Sequence, residues 1–501
     1  MKTCNKEFLN DIEKLSEKRK EEILGAKDSI TITGTTYYVS TDGNDDNDGK
    51  SETTPWRTLG KVSSAPLSAG DGVAFKRGDT FRGSVRTQEG VTYFAYGEGD
   101  KPKLYAWDKN LADPDLWELV DKEHNIWKLK DAILDCGTLV FNEGEAHSRK
   151  LIPSYKNGKF VCRNDESKDF VMKDEMTCDL DIFCSYTERM TTHPSKGESF
   201  PVPVVEFDNY GDLYLRCDNG NPGEVFTSIE ALAKRNMFTI KDINNVKIDN
   251  ICMKYIGAHA IAAGGKSCKG LHVTNCEIGW IGGTIQNYLG LDPNYPEGMR
   301  GSVTRYGNGV EIYGGCEDYL VKDCYIYQCY DAGITHQYTT HGEKIAMTNI
   351  RYLDNVVEYC VYSIEYFLEK INDTESYIDD CVIAGNILRH SGYGWGQQRH
   401  NTHTPAHIKG WSYENTASHY VIYNNIFDRA AYRMLHLVAK YESSLPVMTS
   451  NTYIQNDGMT LGQYGANETS EPEVIPFDKN AEEIIASVFK EADAKVYHIN
   501  N

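Results

Sequence analysis

The sequence predicts an all-β solenoid, a chain wound into stacked coils, and three observations predict it. From residue 237 onward the sequence repeats every 22 to 45 residues or so as apolar strand, polar Asn/Asp turn and second strand, which is how a stack of parallel strands is written in one dimension. One strand of each repeat aligns on an apolar residue, giving Ile261, Val310, Ile334, Ile364, Ile408 and Leu435 a common register. The 501 residues are 40% apolar, enough for one large core with an insertion.

The elements follow in order. Residues 1–30 hold an N-terminal helix, with Phe8, Leu9, Ile12, Leu15, Ile23 and Leu24 spaced for one face of a surface or capping helix. Residues 31–105 alternate strand-like runs with Gly/Asp turns around a short helix near Trp56 to Ser64, and form the first coils. Residues 106–236 lose the coil rhythm and read as an inserted small β domain. The main coils occupy 237–460. A tail follows over 461–501, with helical spacing at Ile484, Ile485, Val488 and Phe489 that suits a lid on the open end of the stack. Turn residues are expected at Asn250, Asn275, Asp323, Asn355, Asp380 and Asn424. The next column, Ile251, Cys276, Cys324, Val356, Cys381 and Asn425, then stacks at about 4.8 Å inside the coil, so its thiols read as space-filling.

The order Tyr37-Tyr38-Val39-Ser40, Gly43-Asn44-Asp45, Asp48-Gly49, Pro55-Trp56-Arg57-Thr58-Leu59, Ala69-Gly70-Asp71 and Arg77-Gly78-Asp79-Thr80-Phe81 resembles the opening of right-handed parallel β-helix carbohydrate-active proteins. The stretch 213–231, LYLRCDNGNPGEVFTSIEA, is similar to the junction by which glycoside hydrolases akin to family 141 return from an insertion to the main coil. The resemblance implies a pectate-lyase-like right-handed parallel β-helix and glycoside hydrolase activity, in a family that includes fucosidases and xylanases. It assigns no catalytic pair to numbered residues of this chain.

Charge narrows the partners. A formal charge of −21 without a Lys/Arg cluster disfavours nucleic acid and anionic membrane surfaces, and points to neutral or weakly charged oligosaccharide or polysaccharide substrates. The first 26 residues hold no apolar run like a signal-peptide core, and no later stretch approaches the ~20 apolar residues of a membrane span. A cytoplasmic protein is expected, or a secreted one if a leader has been removed. Fourteen cysteines without zinc-like spacing suit reduced, buried thiols. No cofactor is required and no metal is expected. His400, His403 and His407 lack the helical pairing of a zinc site. Asn44, Asp46 and Asp48 imitate the start of a calcium loop, but Pro55 stands where its bidentate Glu belongs, so a structural turn is the better reading.

Alternation along a strand turns the neighbours of the apolar register outward. One such column reads Ala262, Glu311, Thr335, Glu365, Lys409 and His436. A flank on one side carries Tyr313, Gln337 and Trp411; the flank on the other carries Ala260, Gly309, Gly333, Ser363, His407 and Met434. Long connections carrying Arg305 and Trp395 gather on the same side. Glycoside hydrolysis needs two carboxyl groups, about 5 to 5.5 Å apart for retention or 6.5 to 9.5 Å for inversion. Glu311 and Glu365 stand two rungs, about 10 Å, apart along the backbone, with Asp331 at the turn between them. These three are the candidate catalytic set, with acid and base unassigned. Tyr313, Gln337, His407, Lys409, Trp411, Trp395 and Arg305 are the candidate sugar contacts. A polysaccharide lyase or uronate epimerase using Lys409, His407 or Arg305, and a noncatalytic glycan-binding β-helix, are the alternatives.

Overall fold

The computed structural model describes every residue except 1, 4–5, 28–29, 157–158, 187–188, 193–200, 288–302, 372–374, 400–403, 411–415, 468–471 and 501. It is a right-handed parallel β-helix. One face is an 11-stranded parallel sheet to which the coils add one strand each, from Thr80–Arg82 and Lys103–Tyr105 through Cys252–Ile256, Glu277–Ile281, Tyr325–Cys329, Val356–Glu358, Ile387–Ser391 and Ile426–Ala430 to Thr452–Asn456 and Lys495–Ile499, with Lys2–Thr3 added at the edge as the eleventh. The strands Val310–Lys322, Ala332–His341, Tyr362–Ile371, Ala406–Gly410 and Arg433–Ala439 belong to a longer sheet that wraps the rest of the stack.

The apolar register holds. Ile261 pairs with Val310, then Ile334, Ile364, Ile408 and Leu435 follow in turn, and all six are fully buried. Burying side chains of this size contributes about 1.5 to 3 kcal/mol each, and the stack repeats the contribution at every rung.

The turn column is partly as expected and partly shifted. Its members are Asn250, Asn275, Asp323, Asp354, Gly385 and Asn424, all with positive φ, a conformation that Gly, Asn and Asp tolerate best. Asn355 and Asp380 are therefore not turn residues of this column. The sequence reading slipped by one place at Asp354-Asn355 and chose Asp380 over Gly385. In consequence Val356 packs outside, under the helix, and Cys381 fills the core on a different column, while the interior column runs Cys276, Cys324, Asn355, Asn386, Asn425 and Asn451. Cys276 and Cys324 do stack. Above them the amides form a buried ladder: Asn355 Nδ2 donates to Asn386 Oδ1 (2.9 Å), Asn386 to Asn425 (2.9 Å), Asn425 to Asn451 (3.0 Å), and Asn451 to Glu491 Oε1 (2.9 Å). Each amide also bonds backbone, so the polar column carries no unmet demand.

The helix Lys6–Leu24 lies along the outside of the 11-stranded sheet. Ile23 packs on Val356 and Ile387, Lys20 pairs with Glu358 (2.9 Å), and Glu13 pairs with Arg389. In the first coils Trp56 stacks on Tyr37 at 4.6 Å and donates to the Asn47 carbonyl, while Asp45 accepts from the Arg57 and Thr58 backbone. That loop is built as a turn around its own donors. Residues 117–233 form largely antiparallel sheets around Trp117, Leu139, Leu213 and Leu215. The helix Ala481–Ser487 seats Ile485 in the main core together with Phe489. Among the described residues no helix is long and apolar enough to cross a membrane.

Candidate functional site

The column carrying the carboxylates forms as the alternation requires. Ala262 pairs with Glu311, Glu311 with Thr335, Thr335 with Glu365, Glu365 with Lys409, and Lys409 with His436, all on the outer side of the strands whose inner side holds the apolar register. Outward does not mean exposed. Glu311, Glu365, Thr335 and His436 are all buried under the connections that cross this face.

The flank that carries His407 points the other way. Ala260 and Met434 lie in the main core beside Ile261 and Leu435, and a Cβ on Gly309 or Gly333 would meet the interior Cys329 or Cys360. His407 is fully buried, accepts or donates to Ser391 Oγ at 2.9 Å through Nδ1 and stacks near Phe427; burial pushes its pKa down to about 3. It is a core residue and no sugar contact. The reason is the corner of each coil, where two successive residues face inward and strict alternation fails. The true outer flank is one residue earlier: His259, Asn308, Ala332, Tyr362, Ala406 and Arg433.

That flank supplies the Glu311 environment. Asn308 Nδ2 donates to Glu311 Oε2 (2.7 Å), and His259 Nδ1 lies 2.7 Å from the same oxygen. The Asn308 backbone N–H also points at His259 Nδ1 (3.0 Å). One ring nitrogen cannot accept that proton and donate to the carboxylate at once, so the two contacts compete for Nδ1. Burial pushes the Glu311 carboxyl up, but His259, Asn308 and Gln337 together outweigh it and hold it below the usual range.

Two rungs on, Glu365 lives differently. Lys409 Nζ pairs with Oε1 at 2.8 Å and sits 4.0 Å above the Tyr362 ring, while Arg399 covers the other approach to Tyr362 and pairs with Asp331. Burial raises the Glu365 carboxyl, Lys409 opposes, Asp331 adds its own repulsion, and the outcome is a pKa above the ordinary value. Lys409 is held protonated against the cost of burial by that pair. Asp331 thus stands with Glu365.

A cavity of about 780 Å³ opens beside Glu311, lined among others by Phe207, Lys234, His259, Tyr306 and Tyr313. Of the three candidate carboxylates it reaches Glu311 alone. Tyr313 is exposed and meets Tyr338 edge to face at 5.0 Å, so its ring is presented to solvent as a stacking surface needs. Gln337 serves Glu311. Burial pushes Lys234, whose ammonium donates to the Ile285 carbonyl at 2.7 Å, down to about 8.

Two further expected contacts are packing groups. Trp395 is buried, donates to the Gln328 carbonyl at 2.8 Å and packs on Tyr330. Arg305 is buried, with Nε donating to the Gly283 carbonyl (2.6 Å), Nη2 to the Gly137 carbonyl (2.9 Å), and its guanidinium 4.3 Å above Tyr330. Both tie the inserted sheets to the coils, and an aromatic or cationic residue in a long connection serves packing as readily as binding. Trp411, His400 and His403 lie outside the described residues. Sequence reasoning missed His259, Asn308, Tyr362, Arg399 and Arg433 as neighbours of the carboxylates. The available signal was polar or aromatic residues three places before Glu311, Glu365 and His436. Among the described residues no cluster of three or more His, Cys, Asp or Glu side chains is arranged to hold a metal ion.

No family model matches the chain. Over 86 residues it is 38% identical to lacto-N-biosidase of Bifidobacterium longum subsp. longum, a stretch that is 15% of this chain and 5% of that protein. The chain therefore matches only a twentieth of the length of that curated relative. Among solved structures, a protein described as a glycoside hydrolase is 11% identical, with 93% of this chain and 96% of that chain covered and a TM-score of 0.44. The GH136 lacto-N-biosidase of Eubacterium ramulus is also 11% identical, with 98% of this chain and 71% of that chain covered and a TM-score of 0.34. Likeness at this level assigns no activity.

Proposed function

We propose that the protein is a glycoside hydrolase working on a glycan across the strip between Glu311 and Glu365. The observation that carries this reading is that two carboxyl groups on one column, two rungs apart, are driven in opposite directions, Glu311 below and Glu365 above the usual range. A pair whose environments push their pKa values apart is how a protein makes one carboxylate a base and its partner an acid at one pH. Glu365 is the proton donor to the leaving oxygen and takes a proton back from water after the step. Glu311, ionised and fixed by Asn308 and His259, is the base or nucleophile. About 10 Å between backbones suits the wider, inverting separation once the side chains lean inward. Tyr313 and Tyr306 beside the cavity offer ring faces to the sugar. The stretch shared with lacto-N-biosidase supports a glycan as substrate.

A panel of aryl glycosides, fucosides and xylosides first, tests the reading. Release of the phenol by the native protein, abolished in Glu311→Gln and Glu365→Gln with the fold retained by circular dichroism, is the expected result. An unsaturated, ultraviolet-absorbing product from a uronide would replace it with lyase chemistry.

A further inference from the structure

The cations at the far end of the strip do not all have partners. Arg399 is paired with Asp331, and Lys409 with Glu365. His436, one rung past Lys409, is kept neutral: burial, then the charges of Arg433 and Lys409, push its pKa down to about 3. Arg433 remains. It begins the strand Arg433–Ala439, on the outer flank one rung beyond Ala406 and two beyond Tyr362. It is 7% exposed, and neither Nε nor Nη1 has a hydrogen-bond partner. Its backbone N–H donates to the Pro405 carbonyl (3.1 Å), and the guanidinium carbon lies 5.3 Å from the centre of the Tyr432 ring.

A guanidinium cannot shed its charge at any physiological pH. Leaving two of its donors buried without an acceptor is costly, and each such group calls for an explanation. The neighbours on its rung and the preceding one make the matter sharper, since Lys409 and His436 add positive or neutral groups and no acid. The small Ala406 between Tyr362 and Arg433 leaves the guanidinium without a large side chain beside it on that column.

We infer that Arg433 receives an anionic substituent, a carboxylate or a sulfate ester, on a sugar bound at the Lys409–His436 end of the strip. The fork of a guanidinium matches two oxygens of either group, and such charge-assisted bonds are about twice as strong as neutral ones. This names the substrate class within the hydrolase reading and rests on that reading only for the claim that the sugar is cleaved. An acidic glycan also answers the objection from the chain's net charge of −21, because the cation needed to hold it is local.

Direct binding separates the two claims. Calorimetry at constant ionic strength compares sodium sulfate, glucuronate and galacturonate with glucose and galactose on the native protein, Arg433→Met, Arg433→Lys and Glu311→Gln. The expected result is that at least one anion binds where the neutral sugars do not, that Arg433→Met weakens it by about tenfold or more, that Arg433→Lys falls between, and that Glu311→Gln leaves it intact. Sulfate binding alone identifies a sulfated sugar and uronate binding a uronic acid. Equal, negligible binding of anions and neutral sugars, or unchanged anion affinity in Arg433→Met, overturns the inference. If Arg433→Met does not fold, Arg433→Gln gives the same comparison. Aryl glycoside turnover without anion binding would leave the hydrolase standing and remove the anion site; anion binding without turnover would do the reverse.

Discussion

Glu311 and Glu365 occupy the same column, face the same way and are equally withdrawn from water, yet the protein gives them opposite characters. At the Glu311 end the neighbours are an amide and an imidazole, and a cavity reaches the carboxylate. At the Glu365 end they are a lysine, an arginine and a second acid, packed around Tyr362. A position in a repeat fixes where a side chain points; its chemistry comes from the adjoining rungs and from the connections laid over them. Electrostatics in a solenoid is therefore a local matter even when the backbone is nearly periodic.

The comparison breaks most visibly if either glutamate is neutralised. Glu311→Gln and Glu365→Gln should each cut turnover by about 10² to 10⁴-fold with the fold retained, read by steady-state kinetics and circular dichroism. If one of the two leaves the rate untouched, the pairing is wrong. Removing Lys409 is the next largest test. Lys409→Met takes away the ammonium that partly offsets the burial of Glu365 and lowers the denaturant midpoint. Because Lys409 lowers the Glu365 pKa, its loss raises that pKa and moves the alkaline limb of the rate profile to higher pH.

At the other end, His259→Gln removes the group that does most to offset burial of Glu311. The Glu311 pKa rises, so the acid limb of the profile moves up as well. The stability sign is separate. A carboxyl whose folded pKa is depressed stabilises the fold above its unfolded value, and that contribution fades as pH falls through the folded pKa. His259→Gln should therefore flatten the acid side of the native stability curve, measured by urea midpoints between neutral and acid pH. The smallest effect is expected from Tyr313→Ala, a rise in KM of a few-fold with kcat nearly unchanged, because a single exposed ring contributes about 1 kcal/mol of stacking.

Much of this was legible in the sequence because period-two alternation and apolar register are strong signals over six rungs. They placed Val310, Ile334, Ile364 and Ile408 inside and Glu311, Glu365 and Lys409 on the opposite side of the sheet. What failed was local. At each coil corner two successive residues turn inward, so a rule of strict alternation sent His407 to the surface and overlooked Arg433 and His259. Asp354 and Asn355 are adjacent and both suit a turn, and only the φ of the backbone shows that Asp354 takes it while Asn355 enters the ladder. Trp395 and Arg305 sit in long connections, where composition does not distinguish a sugar contact from a clamp. The pairing of Arg399 with Asp331 joins residues 68 positions apart and leaves no local trace.

The helix Lys6–Leu24 has a consequence for how the molecule is made. The strand Lys2–Thr3 just before it pairs in parallel with Lys495–Ile499, Phe8 stacks on Tyr497 at 4.1 Å, and farther along Arg19 donates to the Asp354 carbonyl. Nineteen helical residues reach about 28 Å, roughly six rungs, so this brace runs beside coils that leave the ribosome hundreds of residues after it. Its docking surface is completed only when the strand Lys495–Ile499 is in place. A segment made hundreds of residues before its seat is complete thus docks late, and the brace acts as a clasp across the stacked coils.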